Sequence, residues 1–232
     1  MAEEKQTKKQ IKGFGYLIVS LIWLFCFLIF IVLLKTVDIG AVGPENSEIG
    51  FSTMNKFIFD TLGQSEFWYN FTKIMGYASI LIAVIFMCYG LYQLIKYRSL
   101  KNVDGDLIAM AITFVMLAFV YVLFEIVKIN YRPVLVDGAL EVSFPSSHTM
   151  LNLTIFTITA MFFSKKIDNI WVRRIVVVVI SLLMILSVVG RLLSGVHWFT
   201  DILGAVMISV FLCLFYEFLS KTFYREIKRG LN

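Results

Sequence analysis

Long apolar runs alternate with short polar connections along the chain. Three runs reach the roughly 20 residues that an α-helix needs to cross the apolar core of a bilayer, which is about 30 Å thick. They are Phe14–Leu34, Ile74–Ile95 and Leu107–Val127. Three shorter runs can each extend a few residues into polar sequence at one end. They are Thr149–Phe163, Ile175–Val189 and Ile202–Leu219. The pattern predicts an all-α, polytopic membrane protein with six transmembrane helices.

The composition agrees with this prediction and excludes other classes. Hydrophobic residues make up 59% of the 232 residues and charged residues 16%, whereas soluble chains carry about 45–50% and about 25%. We expect one membrane-embedded domain over residues 1–232. The net charge of +5 is spread over short connections, so no nucleic-acid partner is expected. Cys26, Cys88 and Cys213 show no metal-ligand spacing, so neither a disulfide nor a metal site is expected.

Lysine and arginine are distributed unevenly between the two sides of a six-helix topology. Fifteen of the 21 fall on the side that carries both termini, and six fall on the side with the longest loop. Those six are Lys35, Lys56, Lys73, Lys128, Arg132 and Arg191. Because cytoplasmic loops carry the excess of basic residues, both termini are predicted to be cytoplasmic. We expect a multi-pass protein of the cell membrane.

Polar residues cluster at the outer ends of helices 3 to 6, in two stretches of sequence. The first runs from residue 128 to residue 148 and the second from residue 190 to residue 201. The chain has only two histidines, and His148 lies in the first stretch while His197 lies in the second. This pairing points to a site on the extracytoplasmic face.

The first stretch ends in a sequence that suits an anion-binding helix start. Pro145 fits the first turn of a helix, and Ser146 or Ser147 can cap it. The free N–H groups and the positive end of the helix dipole then face the outer space. His148 would project from that turn as a proton donor.

The second stretch pairs a histidine with a carboxylate. His197 and Asp201 are four residues apart, which places them on one face of a helix. The carboxylate can hold one ring nitrogen and leave the other free to attack or to accept a proton.

Three basic residues accompany these groups: Lys128, Arg132 and Arg191. The arginine fork suits phosphate oxygens and lysine supplies a point charge, so the set favours phosphoryl transfer. An acyl-transfer triad could be formed nominally from Ser146 or Ser147 with His197 and Asp201. However, no Gly-x-Ser-x-Gly elbow is present, and three cations exceed what a neutral ester requires.

These motifs resemble the three-part signature of the type-2 phosphatidic acid phosphatase superfamily. The family pattern is Lys…Arg-Pro, then Pro-Ser-Gly-His, then Ser-Arg-x5-His-x3-Asp. The chain reads Lys128…Arg132-Pro133, Pro145-Ser146-Ser147-His148 and Gly190-Arg191-x5-His197-x3-Asp201. The signature region covers residues 128–201, and the six-helix layout is similar to that of the membrane branch.

The resemblance implies a role for each site residue. His197 would attack phosphorus and become phosphohistidine, Asp201 would orient it, and His148 would protonate the leaving oxygen. The phosphate-binding residues implied are Lys128, Arg132, Ser146, Ser147 and Arg191. No metal and no other cofactor is implied.

Three positions depart from the family pattern. The family lysine lies seven residues before the arginine, where this chain has Glu125, whereas Lys128 lies four before it. We expect Glu125 and Lys128 to pair across one helical turn. Ser147 replaces glycine, and Gly190 replaces a serine that would donate to phosphate. That hydrogen bond is either missing or supplied from elsewhere.

The sequence thus predicts a metal-independent integral membrane lipid phosphatase whose partners are a lipid phosphate and the bilayer. Phosphatidate, phosphatidylglycerol phosphate and polyprenyl diphosphate are candidate substrates, and family analogy slightly favours undecaprenyl diphosphate. A phospholipid-binding or transport protein without turnover is an alternative. A vanadate-dependent haloperoxidase-like enzyme is another. The oligomeric state is left open.

The charge distribution generates a prediction about topology. A reporter fused after Asn232 is expected in the cytoplasm, and a cysteine introduced between Gly40 and Ser47 is expected to react with a membrane-impermeant thiol reagent from outside. The same protein without the introduced cysteine is the control. An externally accessible carboxyl terminus would contradict the sidedness.

Overall fold

The computed structural model describes residues 2–223, with side chains from residue 13 onward. Within these residues the chain forms seven α-helices, two short 3₁₀ turns and no β-strand. The helices are α1 (Ala2–Leu34), α2 (Ser52–Leu62), α3 (Glu66–Tyr97), α4 (Gly105–Ile126), α5 (Ser147–Lys166), α6 (Ile170–Leu193) and α7 (Phe199–Thr222). The all-α class is confirmed. Five of the six predicted runs lie entirely within one long helix, and the remaining run, Leu107–Val127, extends one residue beyond the end of α4. The short helix α2 lies in the connection that follows the first run and was not predicted.

Five of these helices are long and apolar enough to cross a membrane: α1 from Gly13, α3, α4, α6 and α7. Helix α5, which corresponds to the predicted fourth span, is not one of the described helices that are long and apolar enough to cross a membrane. It has 20 residues, but many of its buried positions are polar, including Thr149, Asn152, Thr154 and Thr159. Six spans and two cytoplasmic termini therefore stay predictions. The side chains of the amino-terminal lysines and the basic residues after 223 lie outside the described residues.

Helices α5 and α7 occupy the centre of the bundle. Helix α7 packs against α1, α4 and α5, and α5 packs against α3 and α6 as well. Both helices contribute buried apolar side chains to one core cluster, among them Ile155, Ile158, Ile208 and Leu212. In α1, α3 and α6, by contrast, many large apolar side chains are exposed on the outside of the bundle. Such a surface is typical of helices that face lipid. The polar residues of α5 are therefore shielded by the helices around it.

A network of charged side chains joins α4, α5 and α7 at the end of the bundle remote from the two histidines. The carboxylate of Asp106 accepts hydrogen bonds from Tyr216 at 3.2 Å, from Lys165 at 3.3 Å and from Ser220. Lys165 also pairs with Glu217 at 2.7 Å. Since these groups are mostly withdrawn from water, each depends on its partners for neutralisation.

The connection between α4 and α5 folds into a short hairpin over the opposite end of the bundle. Isolated antiparallel bridges pair Tyr131 with Val142 and Val136 with Ala139. The turn residues Asp137 and Gly138 both have positive φ, 51° and 78°, and Asp-Gly is a dipeptide typical of such hairpin turns. The hairpin places the Lys128–Pro133 motif beside the Pro145–His148 motif.

Helix α2 supports the beginning of α7. The side chain of Asn55 is fully buried, and its amide donates to Thr200 Oγ1 at 2.9 Å while its oxygen accepts from the Thr200 backbone N–H at 3.2 Å. The residue after His197, Trp198, donates from its indole to the carbonyl of Tyr131 at 2.8 Å. The start of α7 is therefore fixed from both sides.

The buried charge network generates a prediction about stability. Asp106→Asn removes the charge shared by Lys165 and Lys166, so the free energy of unfolding should fall on the order of 3 kcal/mol. The matched control is Asp60→Asn, which breaks the exposed pair with Lys56 and should cost at most about 1 kcal/mol. Unfolding in detergent measures both, and equal losses would contradict the structural role of the network.

Candidate active site

His148 lies in the first turn of α5, where the sequence predicts it. Ser146 is the N-cap residue, and its backbone N–H donates to the carbonyl of Asp201 at 3.1 Å. Its hydroxyl lies 3.0 Å from Thr149 Oγ1. Ser146 is thus engaged within the protein, whereas Ser147 lines the cavities described below.

The imidazole of His148 packs against the backbone of α3. A Cβ at Gly76 would lie 2.9 Å from Cδ2 of His148, so only glycine leaves room for the ring there. Its Nδ1 is buried and has no hydrogen-bond partner among the described residues. Helix α3 therefore sets the position of a residue whose motif lies more than 70 residues later in the sequence.

His197 and Asp201 lie together, but not on one helical face as their four-residue spacing predicts, because α7 begins at Phe199 and His197 precedes it. His197 Nδ1 is 3.6 Å from Asp201 Oδ2, just beyond hydrogen-bond distance. The carboxylate is completely buried. It accepts from the backbone N–H of Trp198 at 2.9 Å and from the amide of Asn130 at 3.2 Å. Asp201 thus joins the helix start to the hairpin.

Asn130 is a site residue that the sequence analysis missed. Its side chain is 1% exposed and holds Asp201 Oδ1. The Asp137-Gly138 dipeptide is a signal that could have revealed the hairpin. The hairpin pairs Asn130 with Ser143, whose backbone N–H donates to the Asn130 carbonyl at 2.9 Å. The contact with Asp201 itself depends on packing between distant segments.

Arg191 is 1% exposed and lies beside the nucleophile candidate. Its Nη2 is 3.2 Å from His197 Nε2, and its Nη1 donates to Thr72 at 3.4 Å. The guanidinium lies over the ring of Tyr69, 5.6 Å from its centroid. Two residues of α3 therefore orient this arginine.

Packing of α3 against α6 explains why position 190 is glycine, where the family pattern has serine. A Cβ at this position would lie 2.6 Å from Cε3 of Trp68 and 3.2 Å from the Thr72 methyl carbon. A serine has no room there. The hydroxyl of Thr72, one helical turn from Trp68, bonds Arg191 instead.

Arg132 extends from the hairpin toward His197. Its Nε lies 3.1 Å from a carboxylate oxygen of Glu141, and its backbone N–H donates to the Glu141 carbonyl at 3.0 Å. The arginine side chain is 13% exposed, against 44% for the glutamate. Both predicted arginines are thus brought to the histidine.

The structure places Lys128 elsewhere. Lys128 is exposed, and within the described residues it neither pairs with Glu125 nor lines a cavity near the histidines. The expected Glu125–Lys128 pair is therefore wrong, because α4 ends at Ile126 and Lys128 lies beyond the helix. Glu125 interacts with Tyr121 instead. Lys73 of α3, which the sequence analysis did not select, lies beside His148.

Two adjoining cavities connect these residues. The smaller has a volume of ≈ 20 Å³ and is lined by His197, Arg132, Glu125 and Ser147 among others. The larger has a volume of ≈ 580 Å³. Its polar end is formed by His148, Ser147, Tyr69 and Lys73, and its apolar part extends along α3 and α4 to Met87 and Phe114. Ser147 and Tyr121 line both cavities, so the two histidines line cavities that are adjacent to each other.

The electrostatics suit a neutral, nucleophilic His197. Burial lowers the pKa of His197 below its ordinary range, and the charges of Arg191 and Arg132 lower that pKa further. A neutral imidazole keeps one lone pair. With the ring proton on Nδ1 facing Asp201, the lone pair is on Nε2. Among the described residues, no group of three or more His, Cys, Asp or Glu side chains is arranged to hold a metal ion.

Comparison with known proteins places this geometry in a family. The family model described as the PAP2 superfamily matches residues 109–224, which is half of the chain. A solved structure of a transmembrane PAP2 type phosphatidylglycerolphosphate phosphatase from Bacillus subtilis superposes with a TM-score of 0.58 at 17% identity. The alignment covers 85% of this chain and 93% of that one, and at this identity it shows a common fold alone. No curated protein matches the sequence.

The contact between Asn130 and Asp201 generates a prediction. Asn130→Ala leaves the buried carboxylate without one donor, which costs about 1–3 kcal/mol, so the activity of the site should fall about 10–100-fold while the protein still folds. The matched control is Asn102→Ala, an exposed asparagine at the other end of the bundle, which should behave as wild type. Unchanged turnover in Asn130→Ala would contradict the positioning role.

Proposed function

Because this chain belongs to the PAP2 superfamily, which implies a phosphoric ester hydrolase, we propose that it is an integral membrane lipid phosphatase acting through a phosphohistidine. The observation that carries the proposal is His197, with Nε2 beside Arg191 and Nδ1 facing the buried Asp201. This arrangement presents one lone pair to a phosphorus atom and holds the opposite ring nitrogen.

In the first step the His197 Nε2 lone pair forms a bond to phosphorus. The bond between phosphorus and the leaving oxygen breaks, and that oxygen keeps the electron pair and takes a proton from His148. The imidazolium that develops at His197 keeps its Nδ1 proton, and Asp201 stabilises its charge. A phosphohistidine and a protonated leaving group result.

In the second step water attacks the phosphorus of the phosphohistidine. His148, now unprotonated, takes a proton from that water, the nitrogen–phosphorus bond breaks, and its electron pair returns to Nε2. Inorganic phosphate leaves, and both histidines regain their starting protonation states. The same residue thus serves as acid in one step and base in the other.

The negative charge on the transferred group needs stabilisation throughout. Arg191 and Arg132 flank His197 and offer planar donors suited to phosphate oxygens. Helix α5 begins at Ser147, which lines the smaller cavity together with His197. The amino terminus of this helix contributes backbone N–H groups and the positive end of the helix dipole. Preorganised charges of this kind are the largest contribution to catalysis in many enzymes. We propose that no metal is required.

A lipid substrate is supported by the larger cavity. Beyond His148 the cavity is lined by Ile80, Val84, Leu117 and Ile155, whose side chains suit a hydrocarbon chain. A substrate anchored in the bilayer could place its phosphate at the histidines and its chain between α3 and α4. Phosphatidate, phosphatidylglycerol phosphate and polyprenyl diphosphates all meet this requirement. We propose that the whole chain forms one domain in the cell membrane, with the site on the outer face.

The test separates the two histidines by the leaving group. In purified protein with excess chelator, His197→Ala should abolish turnover of every substrate, because no phosphoenzyme can form. His148→Ala should lose about 10²–10⁴-fold on a lipid alcohol leaving group. It should lose much less on p-nitrophenyl phosphate, whose phenolate needs little protonation.

The two variants serve as controls for each other, since the chain has only these two histidines. Acid-quenched trapping of labelled phosphoenzyme completes the measurement. Label trapped in His197→Ala, or equal losses of His148→Ala on both leaving groups, would reverse the assignment. A phospholipid-binding or transport protein would show neither turnover nor label, and a haloperoxidase-like enzyme would require vanadate and peroxide.

A further inference from the structure

Lys73 lies in the second turn of α3 and faces the polar end of the larger cavity. It lines that cavity together with His148, Ser147 and Tyr69, and it is close enough to add to the positive potential at His148. Its side chain is exposed. Among the residues whose side chains are described, no acidic group pairs with it. A lysine so placed has a charge available for a ligand.

The residues that line the two cavities indicate how a substrate would be oriented between the two histidines. His197 and Arg132 line only the smaller cavity, and His148 and Lys73 line only the larger one. A nucleophile and a leaving group lie on opposite sides of phosphorus during an in-line displacement. With the transferred phosphoryl group beside His197, the leaving oxygen faces His148. Lys73 is therefore on the side of the leaving group.

The other candidate for a third cation is poorly placed. Lys128 is exposed and lines neither cavity. Glu125, which precedes it by three residues at the end of α4, lines the smaller cavity instead. A carboxylate there adds negative charge to the cavity that His197 lines. The positive charge that the motif lysine was expected to supply is found on another helix, in the other cavity.

We infer that Lys73, and not Lys128, is the third cation of the site, and that it binds an anionic leaving group, so that the enzyme favours lipid diphosphates over lipid monophosphates. This inference rests on the proposed function. In a lipid diphosphate the departing group is a lipid monophosphate, whose charge grows as the bond breaks. In phosphatidate the departing group is a neutral alcohol once His148 has protonated it, so Lys73 has less charge to bind.

The lysine suits this role physically. Its ammonium is a compact charge on a flexible stem, and from the second turn of α3 it can reach a phosphate near the headgroup depth of the bilayer. Hydrogen bonds to charged groups contribute about 1.5–3 kcal/mol. The corresponding change in kcat/KM is about 10–100-fold.

The experiment compares two substrates with the same lipid tail, dioleoylglycerol diphosphate and dioleoyl phosphatidate, in detergent micelles. Lys73→Gln should lower kcat/KM for the diphosphate about 10–100-fold, with at least a several-fold smaller effect on phosphatidate. Lys73→Arg, which keeps the charge, should retain most of the preference. Lys56→Gln, an exposed lysine on α2, is the control and should leave both activities unchanged.

The outcomes separate this inference from the proposed function. Equal losses on both substrates, or a larger loss in Lys128→Gln than in Lys73→Gln, would overturn the role of Lys73 while leaving the phosphatase intact. A lysine that only anchors α3 at the interface would also give no difference between substrates. If wild-type protein hydrolysed neither lipid, the proposed function itself would fail. Thermal unfolding of Lys73→Gln at the wild-type temperature confirms that any loss is not a folding defect.

Discussion

The burial of the Asp201 carboxylate is the constraint on which the site depends. A carboxylate withdrawn from water is costly unless donors replace the lost solvent. Here the donors come from the start of α7, through the Trp198 N–H, and from the hairpin, through Asn130. The backbone of the same residue accepts from Ser146 at the start of α5. One residue therefore fixes the relative positions of three segments, and His197 takes its place among them.

Helix α3 is the second support of the site, although none of the three motifs lies on it. Gly76 leaves room for the His148 ring, and Trp68 packs against Gly190. Thr72 and Tyr69 orient Arg191. The same helix forms one wall of the larger cavity and carries Lys73. Packing of α3 thus connects the candidate site residues to the larger, mostly apolar cavity. A change of side chain along α3 can act on both.

The polar character of α5 follows from its central position. Its serine, threonine and asparagine residues are covered by α3, α6 and α7, and Asn152 accepts a hydrogen bond from Ser79 at 2.7 Å. Such residues would be unfavourable facing lipid. The helices around α5 therefore supply the partners that its polar groups need.

The sequence by itself determined the long helices and, in its motifs, the histidines, the aspartate and the arginines of the candidate site. Apolar runs of sufficient length specify helices in lipid, because the backbone there must satisfy its own hydrogen bonds, and the motif spacing singles out His148, His197 and Asp201 as candidate site residues. Only the tertiary structure decided that Asn130 holds Asp201, that Thr72 bonds Arg191, and that Lys73 lies beside His148 while Lys128 does not. Those contacts join residues up to 119 positions apart. They depend on which helix faces pack together, which the local pattern of residues does not specify.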